Sequence, residues 1–126
     1  MLLDTHAVVW ALTSPRKLSE YPRDVIGSTD NTIVVSIASV WEISIKVGLG
    51  KWPEAAETLE KFEEVMLKAG YSHLAITVAH ARAAGLIVSP HRDPFDRLLA
   101  AQARIEGMAV VSADPRIAAL GVQVIW

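Results

Sequence analysis

The stretch Met1-Leu2-Leu3-Asp4-Thr5-His6 constrains the rest of the chain. Three apolar residues run straight into a carboxylate and a hydroxyl, and the helical run Ala7-Val8-Val9-Trp10-Ala11-Leu12 follows without a spacer. The reading is a short buried strand, Met1 to Leu3, that ends at Asp4 as a helix begins. In open α/β sheets, ligand crevices form outside the carboxyl ends of the strands. An aspartate at that switch either caps the next helix, a place Asp favours, or holds something in the crevice. Other acids at comparable places decide how much weight each reading carries.

The alternation begun there continues. Thr13-Ser14-Pro15 breaks the first helix, and Ser19 can cap a helix from Glu20 to about Ser28. Thr32-Ile33-Val34-Val35 is β-branched throughout and reads as a second buried strand. Ser36 caps a helix from Ile37 to Val47, apolar nearly all round and so expected to be buried. Glu54 to Ala69 reads as one amphipathic helix, with Ala55, Leu59, Phe62 and Met66 inward and its charges on a solvated face. Gly70 stops it. A third strand centres on His73 to Ala75, and Thr77 caps a short helix from Val78 to Ala84. Leu86 to Arg92 is a loop. Asp93-Pro94 opens a helix that runs to about Glu106. Met108 to Val111 is a fourth strand, Arg116 to Leu120 a helical turn, and Val122 to Ile125 a last strand. Strands alternating with helices predict an α/β fold, a mostly parallel sheet with helices on both faces. With 126 residues and no interior linker, residues 1–126 are expected to form one domain.

Composition narrows the function classes. Hydrophobic residues make up 52% and charged ones 21%, so either the sheet is buried on both faces or a partner covers apolar surface. Trp52, in a Gly-Lys-Trp-Pro link, carries the same alternative: it is covered by a partner or folds back onto its own core. A net charge of −2 gives no global basic field, so nucleic-acid binding must rest on a local patch. The absence of cysteine excludes a disulfide scaffold and thiolate-ligated zinc, and fits a cytoplasmic protein. The longest apolar stretch, Ile37 to Leu49, is interrupted by Ser39, Glu42, Ser44 and Lys46 and is too short to span a bilayer. Neither a membrane location nor a targeting segment is expected.

Acids then recur at comparable places. Asp4 follows the first strand, Asp93 and Asp96 open a helix after the Pro90-His91 loop, and Asp114 follows the fourth strand. Each has a capping reading. Asp93 precedes Pro94 and has Asp96 three residues on, a capping-box-like pair, and Asp114 precedes Pro115. Glu42 resists that account because it sits in the middle of an apolar helix. A surface pair with Lys46 would be worth only about 0.3 kcal/mol. Burying a carboxylate costs several times more unless a cation or hydrogen bonds satisfy it. Carboxylates gathered at one sheet edge repel each other, and a divalent cation relieves that repulsion. Oxygen ligands favour Mg²⁺ or Mn²⁺ over zinc. An ion of that kind activates water and offsets charge on a phosphoryl oxygen, which points to phosphodiester hydrolysis. The four histidines form no metal signature: His6 and His80 read as helix-surface or core residues, His73 lies in a strand, and only His91 stands beside the acids. Arg92, Arg97 and Arg116 flank the acids; each either grips phosphate or is a solvated helix residue.

Taken in order, Leu2-Leu3-Asp4-Thr5-His6, Ser39-Val40-Trp41-Glu42-Ile43-Ser44-Ile45-Lys46 with Gly48-Leu49-Gly50-Lys51, His91-Arg92-Asp93-Pro94-Phe95-Asp96-Arg97-Leu98-Leu99-Ala100-Ala101-Gln102-Ala103 and Ser112-Ala113-Asp114 resemble the PIN-domain ribonucleases. Within them the chain looks like the VapC-type toxins of toxin–antitoxin pairs. The resemblance implies a three-layer α/β/α sandwich and a Mg²⁺- or Mn²⁺-dependent endoribonuclease. It makes Asp4, Glu42, Asp96 and Asp114 the first to fourth acids, with Asp4 and Asp96 the most direct ligands. Glu42 and Asp114 would hold waters of the ion or a second ion. Thr5, Asp93, Ser112, His91, Arg92, Arg97 and Arg116 would support the site or contact RNA. It implies a VapB-like antitoxin, a tRNA or rRNA substrate, a homodimer, and a heteromer with the antitoxin. Ser112 stands where the family often has threonine. Many relatives carry a further acid shortly after the fourth, whereas Pro115-Arg116-Ile117 follow here, which weakens the case for a second tightly held ion.

Two other classes compete. A PIN-like module that binds RNA or protein without cleaving would not need all four acids. A receiver or phosphotransferase domain would use an aspartate within a close acidic cluster and a helper lysine, and Asp4-Thr5-His6 offers no paired acid. RNA cleavage tested against phosphate-ester turnover separates the three.

Overall fold

The computed structural model describes residues 1–126. At its centre is a parallel sheet of five short strands. The first, β1 (Leu2–Leu3), is wholly buried. It leads into α1 (Thr5–Thr13), a 3₁₀ turn and α2 (Glu20–Gly27). β2 (Val34–Ser36) feeds α3 (Ile37–Gly48) directly. A 3₁₀ turn, α4 (Ala56–Glu60) and α5 (Phe62–Ala69) lead to β3 (Ser72–Leu74). Then come α6 (Val78–Leu86), α7 (Pro94–Glu106), β4 (Val110–Val111), the 3₁₀ segment Pro115–Leu120 and β5 (Val124–Ile125). The strand order is β3-β2-β1-β4-β5. Leu2 and Leu3 pair with Val34 and Val35 on one side and with Val110 and Val111 on the other.

Because β1 is central, its carboxyl end lies between those of β2 and β4, and the chain reverses direction of travel across the sheet there. That is where an open α/β sheet forms a crevice. The two faces divide the apolar residues as a doubly covered sheet requires. On one face Leu3, Val35 and Val111 pack with Val8, Ile43, Phe62 and Met66. On the other, Leu2, Val34 and Val110 pack with Leu99, Ala103 and Ile117.

Two expectations need correction, and one open alternative is decided. The helix expected from Glu54 to Ala69 is bent at Lys61, whose φ of −105° and ψ of 27° leave the helical range. The bend lets α4 pack on α3 while α5 packs on β3. Gly70, at φ +71°, ends α5 in a left-handed conformation that only glycine adopts cheaply. The helix expected to be buried all round, α3, is buried on one face only. Ala38, Ser39, Glu42 and Ile43 face inward, while Ile37, Trp41 and Ile45 form an exposed stripe four residues apart, with Leu49 beyond them. Trp41 is 60% exposed. A three-turn helix in contact with α1 and α7 buries the side toward them and leaves the opposite side apolar but uncovered. Finally, Trp52 folds back on its own core: half-buried, its ring takes the edge of His6 at 5.0 Å and the Lys46 ammonium at 4.2 Å.

A buried polar clip ties α3 and α7 together. The Ser36 hydroxyl accepts from the Ala38 N–H at 3.0 Å, capping α3, and donates to Gln102 Oε1 at 2.6 Å. Gln102 Nε2 donates to the Ala75 carbonyl at 3.2 Å. Both side chains are fully buried.

Candidate active site

The acids named from the sequence come together. Asp4, Thr5, His6, Glu42, Lys46, Asp93, Asp96, Asp114 and Arg116 line one cleft of about 250 Å³ with no hydrophobic residue in its wall. It sits over the carboxyl ends of β1, β2 and β4, walled by residues of α1, α3, the start of α7 and the segment after β4. Asp4 comes from the β1–α1 junction, Glu42 from the second turn of α3, Asp93 and Asp96 from the start of α7, and Asp114 from the segment after β4.

Capping and clustering turn out to be compatible. Asp4 Oδ1 accepts from the Ala7 N–H at 2.7 Å. Asp93 Oδ1 accepts from Phe95 and Asp96 N–H at 2.9 and 3.1 Å. Asp114 Oδ1 accepts from the Arg116 N–H at 2.9 Å. Each cap uses one carboxylate oxygen and thereby fixes where the other lies. The capping-box partner expected of Asp96 is absent. Its carboxylate turns instead to His91, Oδ2 lying 2.7 Å from Nε2. Asp93 satisfies the first turn of α7 without it.

Glu42 is 9% exposed and is satisfied as its burial demands. Oε1 meets Lys46 Nζ at 2.9 Å, and Oε2 accepts from the buried Thr5 hydroxyl at 2.5 Å. The Lys46 pair weighed from the sequence therefore exists, and both partners face the cleft. Thr5 also reaches Ser39 Oγ at 3.2 Å, which joins the start of α1 to α3.

Burial pushes the Asp4 carboxyl up. Nearby Glu42 adds to the rise, while Ser112, the Ala7 N–H and His6 oppose it. Burial likewise raises Asp96; Asp93 and Glu42 add to it and His91 opposes. Asp114 goes the other way, down to about 2, chiefly because the Arg116 guanidinium bonds to it. Nε of Arg116 lies 3.0 and 3.1 Å from the two carboxylate oxygens, and Nη2 lies 2.6 Å from Oδ2.

The supporting residues divide. Thr5, Asp93 and Arg116 line the cleft. Ser112 is buried beneath it, its hydroxyl accepting from the Asp114 N–H at 3.0 Å. Arg92 is exposed on a separate recess with Ala84, Gly85, Pro94 and Arg97. Arg97 is neither a phosphate grip nor a solvated residue. Its guanidinium donates to the carbonyls of Ala84, Gly85, Ile87 and His91 at 3.2, 3.4, 2.6 and 3.2 Å, closing the end of α6 and holding the loop that carries His91. Sequence reasoning missed His6 as a wall of the cleft. Its place beside Asp4 and Thr5 at the strand end was the available signal.

The donor set fits a divalent cation. One ligand atom each from His91, Asp96 and Asp114 lies within 4.8 Å of the others. The raised carboxyls of Asp4 and Asp96 are those that gain from a nearby positive charge. Asp4 and Glu42 line the same cleft outside that compact group, their oxygens engaged with the α1 cap and with Thr5 and Lys46. An imidazole in the group was not anticipated, because the sequence argument counted oxygen ligands alone.

These features make the chain a parallel α/β sandwich with an acid-lined crevice at its strand ends. The PIN domain family matches over residues 1–123, and the chain belongs to that family. No curated protein matches it. Among solved structures, FitAcB from Neisseria gonorrhoeae shares 22% identity with a TM-score of 0.66, covering 99% of this chain and 96% of that one. FitAB bound to an IR36 DNA fragment shares 20%, with a TM-score of 0.65 and coverage of 98% and 92%. VapBC2 from Rickettsia felis, bound to a DNA fragment from its promoter, shares 15%, with a TM-score of 0.66 and coverage of 98% and 96%.

Proposed function

We propose that this chain is a Mg²⁺- or Mn²⁺-dependent endoribonuclease and the toxin of a VapBC-like toxin–antitoxin pair. The observation that carries the reading is the convergence of Asp4, Glu42, Asp96 and Asp114, from four separate elements, on one wholly polar cleft. Membership of the PIN family and likeness to FitAB and VapBC structures support it. Asp4, Asp96, Glu42 and Asp114 would hold the ion, Asp96 and Asp114 from the compact group with His91 and Asp4 and Glu42 from the same cleft. Bound there, it supplies Lewis-acid activation of a water and offsets charge on a phosphoryl oxygen.

The chain's own residues do the rest. Thr5 and Lys46 fix the Glu42 carboxylate, and His91 fixes Asp96. The α1 cap fixes Asp4. Such supporting contacts orient the ligands and tune their charge. Lys46 and Arg116, with exposed Arg92 outside the cleft, supply the local positive charge that a phosphate backbone needs when net charge is −2.

The antitoxin covers the apolar stripe of α3 (Ile37, Trp41, Ile45) and the adjoining groove with Val40, Leu59 and Phe62. That stripe answers the compositional excess of apolar residues. No helix is long and apolar enough to cross a membrane.

The test is incubation of purified protein with total RNA, with and without Mn²⁺ or Mg²⁺, with cut ends mapped by sequencing. The expected result is cleavage that needs the ion, stops in EDTA and persists with a zinc-selective chelator. Full-rate cleavage in EDTA refutes the metal mechanism. Loss with the zinc chelator means that His91 belongs to the ligand set of a different ion.

A further inference from the structure

Arg116 is the one guanidinium inside the acid-lined cleft, and it occupies a ligand. Three of its contacts fall on the Asp114 carboxylate, at 3.0, 3.1 and 2.6 Å, so both oxygens are engaged. The Asp114 oxygen counted among the compact donors is thus held by a cation of the chain itself. Arg116 is also attracted by Asp96 and Asp93, more weakly than by Asp114. The local sequence explains the reach. Pro115 starts a tight 3₁₀ turn at Asp114, and the Arg116 N–H is the donor that Asp114 caps, so the side chain returns over the carboxylate two residues back. Nothing else anchors it: the side chain is 70% exposed, and Asp114 is its only acidic partner.

From this geometry we propose that Arg116 is a built-in competitor for the metal. It holds Asp114 in the metal-free protein and hands that carboxylate over when the ion binds, so that ion occupancy and the position of Arg116 are linked. The inference rests on the metal-dependent reading of the cleft. A carboxylate whose two oxygens already accept charge-assisted hydrogen bonds cannot serve an ion with both of them. By linkage, whatever favours the Arg116–Asp114 pair weakens the ion by the same factor. Once released, the guanidinium stays at the mouth of the cleft, where it can meet a phosphate oxygen bidentately. Arg116 is on this account a positioning residue for the metal site.

The experiment is Mn²⁺ binding to the intact chain, measured by electron paramagnetic resonance without RNA, for wild type, Arg116→Gln, Asp114→Asn and the double variant. Arg116→Gln is expected to bind Mn²⁺ about two- to fivefold more tightly, the range an exposed ion pair implies. The gain should vanish in the Asp114→Asn background. In a parallel Mg²⁺ titration, the Arg116 Nε–H resonance should shift as the ion binds. Unchanged or weaker binding by Arg116→Gln overturns the proposal. So does a gain that survives in the Asp114→Asn background, because it would then reflect only the removal of a nearby positive charge. Failure of wild type to bind Mn²⁺ at all overturns this proposal together with the metal reading on which it rests.

Discussion

The clip formed by Ser36 and Gln102 offers a quantitative test of how the fold holds the acids in place. Gln102 lies on α7, six residues after Asp96, and Ser36 caps α3, six residues before Glu42. Their 2.6 Å hydrogen bond therefore joins the two helices that bring those acids together. Gln102→Met keeps the volume of the side chain but removes its polar end. It leaves the buried Ser36 hydroxyl without an acceptor, at about 1–3 kcal/mol. The Ala75 carbonyl also loses a donor, but Ala75 is exposed and water replaces it. The expected loss is about 2 kcal/mol, or roughly 8 °C in Tm for a domain of this size.

Ser36→Ala should cost about as much, through loss of the α3 cap and an unpaired Gln102 oxygen. The double variant removes the orphaned groups together. Its loss should fall short of the sum by about 1–2 kcal/mol, the coupling expected of buried partners. Urea unfolding of the four proteins measures this, and equal m-values confirm that one transition is being compared. Strict additivity would refute the reasoning, since it would mean that the two groups do not depend on each other for satisfaction. RNA cleavage by Gln102→Met should fall further than its population of folded protein does, because the separation of Glu42 and Asp96 loosens.

Asp4→Asn, Glu42→Gln and Asp96→Asn should each reduce cleavage close to background with the fold intact by circular dichroism, whereas Asp93→Asn should be milder because asparagine still caps α7; full activity in Asp96→Asn would shift the role to Asp93. Thr5→Val, which removes the hydroxyl bonded to Glu42, should lower Mn²⁺ affinity about 10–100-fold, as loss of an orienting partner does, and an unchanged affinity would remove Thr5 from the site. The raised carboxyl of Asp4 gives a signed pH prediction: the folded chain holds that proton above the ordinary carboxylate range, so the metal-free protein gains stability from it at low pH and loses that gain as pH rises through the raised value. Asp4→Asn should accordingly show a higher metal-free Tm than wild type at neutral pH, with the difference closing toward pH 4, and a lower Tm at neutral pH would contradict the assigned direction.

The alternation of strands and helices was legible along the chain, because β-branched and apolar runs of three or four residues bounded by caps and glycines leave few other solutions. The sequence also singled out the acids that the fold gathers in one cleft, since Asp4 and Asp114 follow strands, Asp93 and Asp96 open a helix after a loop, and Glu42 has no cheap reason to be buried. The local physics of caps and periodicity acts within a few residues, and there the reading was close. Tertiary structure decided what depends on residues far apart. Which side of α3 is covered follows from where α1 and α7 lie, so the exposed Ile37–Trp41–Ile45 stripe was invisible in a helix apolar all round. The bend at Lys61 follows from α4 and α5 having different neighbours. Arg97 looked like a candidate phosphate grip, yet the end of α6, more than ten residues earlier in the chain, takes its guanidinium. The turn of Asp96 toward His91, and of Arg116 back over Asp114, came from the packing of loops at the cleft, where a side chain has several partners within reach and only the assembled geometry selects one.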